Sequence, residues 1–197
     1  MPACVNFKYS VHGWLFALLC LCLGSAQAAA EAQKQAEFVI EHAEARLSND
    51  VYVLNAEVAY HFTPEVLEAL DNGVPLTLDL EIEVSHPRQW LWDQGFTTLQ
   101  QRYRLEYHAL TQQYLVENLN SATQYNFPNR EDAIKVLGNI VNLPVLDQRL
   151  LTPGNSYVGR ARVSLDIESL PTPLRLVAYL SPQWHLASEW YTWPLQP

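Results

Sequence analysis

Four arginines are the residues whose type and spacing come nearest to suggesting chemistry. Arg102 and Arg104 stand two positions apart, and so do Arg160 and Arg162. Guanidinium groups bind carboxylates and phosphates through paired hydrogen bonds, so these side chains would form an anion-binding surface if their two segments were neighbouring strands. The alternative is pairing with acids on adjacent strands, which contributes only about 0.2–1 kcal/mol per pair. The acids available for such pairing are Asp79, Glu81, Glu83, Glu106 and Asp166.

The C-terminal stretch "PQWHLASEWYTWPLQP" contains a second candidate site, in which Trp190, Tyr191 and Trp193 could form an aromatic platform for a glycan or a small ligand. Read as one strand, the stretch has an inward face and a mixed face. The inward face would hold Trp184, Leu186, Ser188 and Trp190, and the mixed face His185, Ala187, Glu189, Tyr191 and Trp193. Packing of the core is the interpretation we favour, and the platform is the alternative.

Signatures of catalysis and of metal binding are missing from the sequence. It contains no H-E-x-x-H motif, no histidine pair at i and i+4, and no G-x-S-x-G motif. With seven glycines in the whole chain, a glycine-rich phosphate loop has no place either. We therefore predict no enzymatic activity, no metal and no cofactor, with an enzyme of unusual type as the remaining alternative.

Alternation of apolar and polar residues dominates the elements that would position these side chains. In "VPLTLDLEIEV" the apolar residues from Val74 to Val84 occupy every second position, and Thr77, Asp79, Glu81 and Glu83 lie between them. A strand with one buried apolar face and one solvent-exposed polar face is typical of antiparallel sheets. The same alternation marks the other strand candidates, "VYVLNAEVAYHF", "LQQRYRLEYHAL" and "YVGRARVSLDIE", with "FVIEHAEARL", "QYLVENL" and "LRLVAYL" less regular.

Two short helices interrupt the predicted strands. The first has Thr63 as its N-cap, Pro64 at its first position and Gly73 as its stop. The second begins after Asn129 and is expected to end at Pro144. Together the elements predict a mainly β fold, an antiparallel two-sheet sandwich that is immunoglobulin-like or similar, with two short helices.

The N-terminus has the features of a secretory signal. Residues 1–28 include the apolar run "WLFALLCLCLG" and a small-x-small pattern, which predicts cleavage after Ala28 or Ala30 and leaves an uncleaved anchor as the alternative. Residues 29–36 would be a flexible leader and residues 37–197 a single β-rich domain. Because Cys4, Cys20 and Cys22 all precede the cleavage point, the mature chain is expected to have no disulfide and no thiolate metal ligand.

Charge limits the partners that can be expected. The chain carries 12 Lys and Arg against 21 Asp and Glu, a formal net charge of −9. Nucleic acid and anionic lipid headgroups repel such a protein, so neither is an expected partner.

Several of these stretches resemble one family of exported proteins. The segments "ALDNGVPLTLDLEIEV", "RYRLEYHAL", "GNSYVGRARVSLDIESLPTPLRL" and "WHLASEW" are similar to the Gram-negative bacterial proteins grouped as DUF4390. The resemblance covers nearly all of the mature chain and brings no functional residues with it. Its usual genomic company implies one partner, the periplasmic domain of a membrane sensor kinase of a two-component system, while the periplasmic location is predicted by the signal sequence.

The sequence thus predicts a periplasmic protein of the cell envelope that works by binding another protein. The candidate contact residues are Arg102, Arg104, Arg160, Arg162, Trp190, Tyr191 and Trp193. A binder of small ligands or glycans that uses the C-terminal aromatics is the alternative.

Overall fold

The alternating segments of the sequence form two antiparallel sheets in a computed structural model, which describes residues 37–86 and 94–195, with the side chains of residues 94–96 excluded. Nine strands lie within these described residues: β1 (Phe38–Ser48), β2 (Val51–Tyr60), β3 (Leu76–His86), β4 (Gln94–His108), β5 (Gln113–Asn118), β6 (Thr123–Phe127), β7 (Asn139–Asp147), β8 (Tyr157–Leu165) and β9 (Tyr191–Leu195). The helices are α1 (Pro64–Asp71), α2 (Arg130–Gly138) and α3 (Thr172–Leu180). Short 3-10 helices span Gln148–Leu150, Ile167–Ser169 and Pro182–Trp184.

One sheet has three strands in the order β1-β2-β7, and the other has six in the order β6-β5-β4-β3-β8-β9. All the strand pairs are antiparallel. The predicted mainly β, two-sheet, sandwich-like architecture is confirmed. The predicted signal peptide and leader lie outside the described residues.

The core lies between the facing sheets and follows the predicted alternation most closely on β3. Its five apolar residues Leu76, Leu78, Leu80, Ile82 and Val84 are at most 1% exposed. Each buried leucine or isoleucine stabilises the fold by about 1.5–3 kcal/mol relative to an exposed one, so this strand fixes which face of the sheet turns inward. A second, smaller cluster around Tyr52, Val84 and Tyr157 extends the core at one end.

The two sheets meet on one side and separate on the other. Strand β1 contacts β8 and β9 of the larger sheet, which closes that side. On the opposite side, the outer strands are β6 and β7, which belong to different sheets and share no hydrogen-bonded ladder within the described residues.

Helix α1 confirms its prediction. The Thr63 hydroxyl accepts a hydrogen bond from the Val66 N–H at 3.3 Å, Pro64 opens the helix, and Gly73 follows it with φ of 83°.

Helix α2 starts as predicted but is shorter. The Asn129 side chain caps it by accepting the Asp132 N–H at 2.9 Å. The helix ends at Gly138, and the prediction that it continues to Pro144 is wrong because residues 139–147 pair with β2 as β7. The chain turns where Gly138 packs on the Val58 carbonyl, and Pro144 is accommodated because β7 is an edge strand.

Two C-terminal predictions also need correction. The segment "LRLVAYL", predicted as a strand, lies in α3, where Pro173 in the first turn presets a helical backbone angle. The tryptophan-rich strand predicted from Trp184 begins only at Tyr191, because residues 182–184 form a 3-10 helix and only Ala187 makes a bridge before β9.

Within residues 37–86 and 94–195, no helix has the length and apolarity needed to span a membrane. These described residues fall within one compact unit, Ala36–Pro197.

Candidate functional site

The sheet order separates the two arginine pairs. Strand β4 carries Arg102 and Arg104 on one side of β3, and β8 carries Arg160 and Arg162 on the other. The acidic face of β3 therefore lies between the pairs, with Asp79 directly opposite Arg102.

Arg102 is the centre of a small polar network. Its Nε donates to Asp79 at 3.0 Å and its Nη2 to Asp166 at 2.5 Å. Burial alone would raise the pKa of Asp166, but hydrogen bonds from Ser169, from the backbone N–H of Glu168 and from Arg102 outweigh it and hold that pKa below its ordinary value. Arg102 is therefore occupied by two carboxylates.

Two of the other arginines are paired in the same way. Arg104 lies 3.3 Å from the Glu117 carboxylate, and the Nε of Arg160 donates to Glu83 at 2.6 Å. Arg162 donates to the Ser188 carbonyl at 3.2 Å and has no carboxylate partner among the described residues. Three of the four guanidinium groups thus neutralise neighbouring acids. The register sets all four arginines on the same face of the sheet as Asp79, Glu81 and Glu83, so these acids lie between the two pairs and the four do not form a separate anion-binding cluster.

The C-terminal aromatics do not share a face. Trp193 was assigned to the mixed face, but it is only 5% exposed and packs in the main core. The assignment fails because the chain is not one continuous strand between Trp184 and Trp193, so the alternation changes phase and sets Trp193 opposite Gly159 on β8. Tyr191 is half-buried against the same core.

Trp190 is half-buried and already has a partner. The Arg160 guanidinium carbon lies 4.7 Å from the centroid of its ring, a cation–π arrangement. One face of the ring is therefore covered from within the chain, and the three-residue platform is not assembled.

The described residues contain no group of three or more His, Cys, Asp or Glu side chains that could hold a metal ion.

An open groove of about 430 Å³ lies where the sheets separate, between β6 and β7. Strands β4 and β5 form its floor, and α2 closes one end. Its lining consists of Tyr103, Val116, Asn118, Ser121, Thr123, Tyr125, Val136, Leu137, Asn139, Ile140, Val141, Asn142, Leu143 and Pro144.

The chemistry of this lining differs from that of the chain as a whole. None of the residues that line it is charged, although the chain has a net charge of −9. Three of its large apolar side chains face solvent: Tyr125 is 56% exposed, Val136 44% and Val141 59%. On the floor, Tyr103 lies opposite Asn118 in the pairing of β4 with β5, and burial raises the pKa of the Tyr103 phenol. Apolar side chains with a few polar groups between them are typical of a binding groove.

Polar contacts hold α2 at the end of the groove. The Asp71 carboxylate, at the end of α1, accepts the Tyr114 hydroxyl at 2.8 Å and Arg130 Nη1 at 2.6 Å. Since Arg130 is the first residue of α2 and Tyr114 lies on β5, one carboxylate ties three elements together.

The sequence pattern did not predict this groove. Strand β6 was not predicted, because "TQYNF" is polar at alternate positions but has only two apolar residues. Val141 was assigned to a helix, so it was not placed on the rim. The signal that was present is the uncharged run from Ser121 to Asn129, which is unusual on the surface of an acidic chain.

A second exposed apolar surface lies on α3, where Leu176 is 68% exposed and Leu180 87%. It was missed because the segment was interpreted as a strand.

One protein family matches most of the chain. The model of the family described as "Domain of unknown function (DUF4390)" matches residues 35–194. The chain belongs to the DUF4390 family. No curated protein and no solved structure matches it. The match covers every strand described in this DUF4390 chain except the last residue of β9. The groove and both strands that border it therefore lie within the family domain.

Proposed function

We propose that this DUF4390 chain is a non-enzymatic binding protein of the periplasm, and that it holds a segment of another envelope protein in the groove between β6 and β7. The observation that carries the proposal is the uncharged lining of an open groove with three exposed large apolar side chains. Exposed apolar surface bordered by polar residues is typical of interaction sites.

The composition of the groove supports a protein partner. The centres of protein interfaces are depleted in charge and enriched in aromatic residues. Here Tyr103 and Tyr125 contribute aromatic area, while the exposed Asn139 contributes an amide group that suits a peptide backbone. The partner class implied by the family resemblance is a membrane sensor kinase.

The periplasmic location rests on the sequence of residues 1–28, with cleavage after Ala28 or Ala30. Fractionation of cells and mass spectrometry of the intact chain test it. A periplasmic chain that starts at residue 29 or 31 is the expected result, and a cytoplasmic chain that keeps Met1 would refute it.

Site-specific photocrosslinking in cells tests the groove. A photoreactive phenylalanine analogue replaces Val141 on the rim, and in a matched control it replaces Val39, a valine 43% exposed on the edge strand β1. We expect capture of one envelope protein from position 141 and none from position 39. Identical products at both positions, or no product at position 141, would contradict the proposal.

A further inference from the structure

We infer that the partner segment pairs with β6 as an added strand and extends the six-stranded sheet to seven. This inference rests on the proposed function, because it names how the segment in the groove is held. It goes further by assigning the recognition to backbone hydrogen bonds along one strand.

An exposed sheet edge presents unpaired backbone N–H and C=O groups, and proteins commonly protect such edges with bulges, prolines, charges or covering elements. Three of the four outer strands in the described part of the chain are protected. Strand β1 has a register shift between Ile40 and His42, and it is covered by β9. Strand β9 contains Pro194, which has no backbone N–H to donate.

Strand β7 is protected although it borders the groove. Its register with β2 shifts twice, and Pro144 has no N–H to donate. Asn142 has φ of 53° and its N–H is already bound by the Asn55 side chain at 2.9 Å. This edge does not offer a regular ladder.

Strand β6 has none of these protections. Its five residues, "TQYNF", include no proline and no charged side chain. Its register with β5 is unbroken from Tyr114 opposite Phe127 to Asn118 opposite Thr123. Its first four residues are exposed, and within the described residues only β5 pairs with it. A regular, uncharged and uncovered edge is a template for another strand.

The side-chain directions of β6 connect this edge to the groove. Thr123 and Tyr125 line the groove, while Gln124 and Asn126 point to the other face of the sheet. A strand beside β6 would therefore place every second side chain in the groove, opposite Val141. Because the groove has no charge, those inward side chains are apolar or uncharged. The occupant that fits is an extended segment with alternating apolar residues.

Proline substitution tests the backbone pairing. Adjacent residues of a strand direct their N–H groups to opposite edges, so one of Gln124 and Tyr125 donates toward β5 and the other toward the open edge. Proline removes the donor, and it is tolerated in a strand only where the N–H faces outward. The variants are Gln124→Pro and Tyr125→Pro, with Gln124→Ala and Tyr125→Ala as matched controls for the side chains.

Each variant carries the photoreactive residue at position 141 and is assayed for folding and for capture of the partner in cells. We expect one proline variant to keep the cooperative unfolding of its alanine control while its capture falls at least about tenfold below that control. The inference would be overturned if every proline variant that folds captured the partner as well as its alanine control. That result would leave the proposed function standing. A captured product with the mass of two copies of this chain would overturn the assignment to a partner segment. No capture by the unsubstituted chain would refute both proposals together.

Discussion

The indole ring of Trp193 lies against Gly159 on the neighbouring strand, so closely that a Cβ atom at position 159 would be 2.4 Å from Cε2 of the ring. A glycine inside a strand often marks a place where another group approaches closely. The contact explains how the largest side chain of β9 is buried at the end of the six-stranded sheet.

Gly159→Ala is expected to destabilise the fold because the added methyl group overlaps the indole ring. Overpacking of this kind costs roughly 1–3 kcal/mol of the free energy of unfolding. Chemical denaturation measures the loss. In a Trp193→Leu background the overlapping ring atoms are absent, so the same substitution should cost much less. Equal costs in the two backgrounds would contradict the assigned contact.

Gly138→Ala separates the effect of helix propensity from that of packing. Propensity alone favours alanine by about 1 kcal/mol inside a helix. A Cβ atom at position 138, however, would lie 2.2 Å from the Val58 carbonyl oxygen. We expect a net loss of roughly 1–3 kcal/mol in the free energy of unfolding. Lys135→Ala, at an exposed position of the same helix, should stay within about 0.5 kcal/mol. A Gly138→Ala variant as stable as the parent would show that α2 does not pack on β2 at this point.

Asp166 should make the free energy of unfolding depend on pH in the acidic range. Its pKa in the fold lies below the ordinary value of 3.8, so the folded state favours the charged carboxylate. This contribution is present above about pH 4 and is lost as the pH falls through the lowered pKa. Asp166→Asn should therefore reduce the difference in the free energy of unfolding between neutral and acidic pH.

Arg102→Met tests whether the ion pairs support that carboxylate. Because 39% of the Arg102 side chain is exposed, screening by solvent limits the expected loss of stability to about 1 kcal/mol. Denaturation at neutral pH and at low pH measures both effects. A pH dependence that survives in Asp166→Asn would assign it to another group.

Tyr114 should resist deprotonation. Burial, the hydrogen bond to Asp71 and the charge of that carboxylate together raise its pKa from 10.0 to about 12. The neutral phenol stabilises the fold, and its contribution is lost as the pH rises from 10 through 12. Carbon NMR of labelled tyrosine, with Tyr114→Phe to assign the signal, measures this pKa. Asp71→Asn should lower it, and an unchanged value would exclude the Asp71 contact.

Tyr125→Ser should separate binding from stability at the groove. Since the ring is 56% exposed, its removal is expected to change the free energy of unfolding by no more than about 0.5 kcal/mol. Capture of the partner from position 141 should nevertheless decrease several-fold, because the ring borders the groove. The buried α2 residue Leu137, at the end of the groove, should instead destabilise the fold by roughly 2–5 kcal/mol when changed to Ala. A large loss of stability in Tyr125→Ser would mean that the ring belongs to the core.

The parts of the fold that sequence analysis predicted correctly are those with a strict local pattern. The leucines of β3 occupy every second position of one long strand, and Thr63, Pro64 and Gly73 carry the cap and stop of α1. Both signals depend only on neighbours in the sequence.

The failures involve partners that are distant in the sequence. The short apolar segment "LRLVAYL" is compatible with either a helix or a strand. In the structure it is helical, and the prolines that flank it favour that conformation. Trp193 is buried by its register with Gly159, which no local pattern reveals. The groove joins strands whose relation arises only when two sheets pack, so its residues have no common motif.

The pairing of β3 with β8 has a consequence for the time course of folding. One edge of β3 pairs with β4, which follows it in the sequence. The other edge pairs with β8, where Leu78 lies opposite Leu165, so this pairing requires residues close to the C-terminus. A growing chain therefore exposes the apolar side chains of β3, which are buried in the folded protein, until β8 has been synthesised. Chains truncated before β8 should therefore be aggregation-prone and require a chaperone, and they should not fold independently.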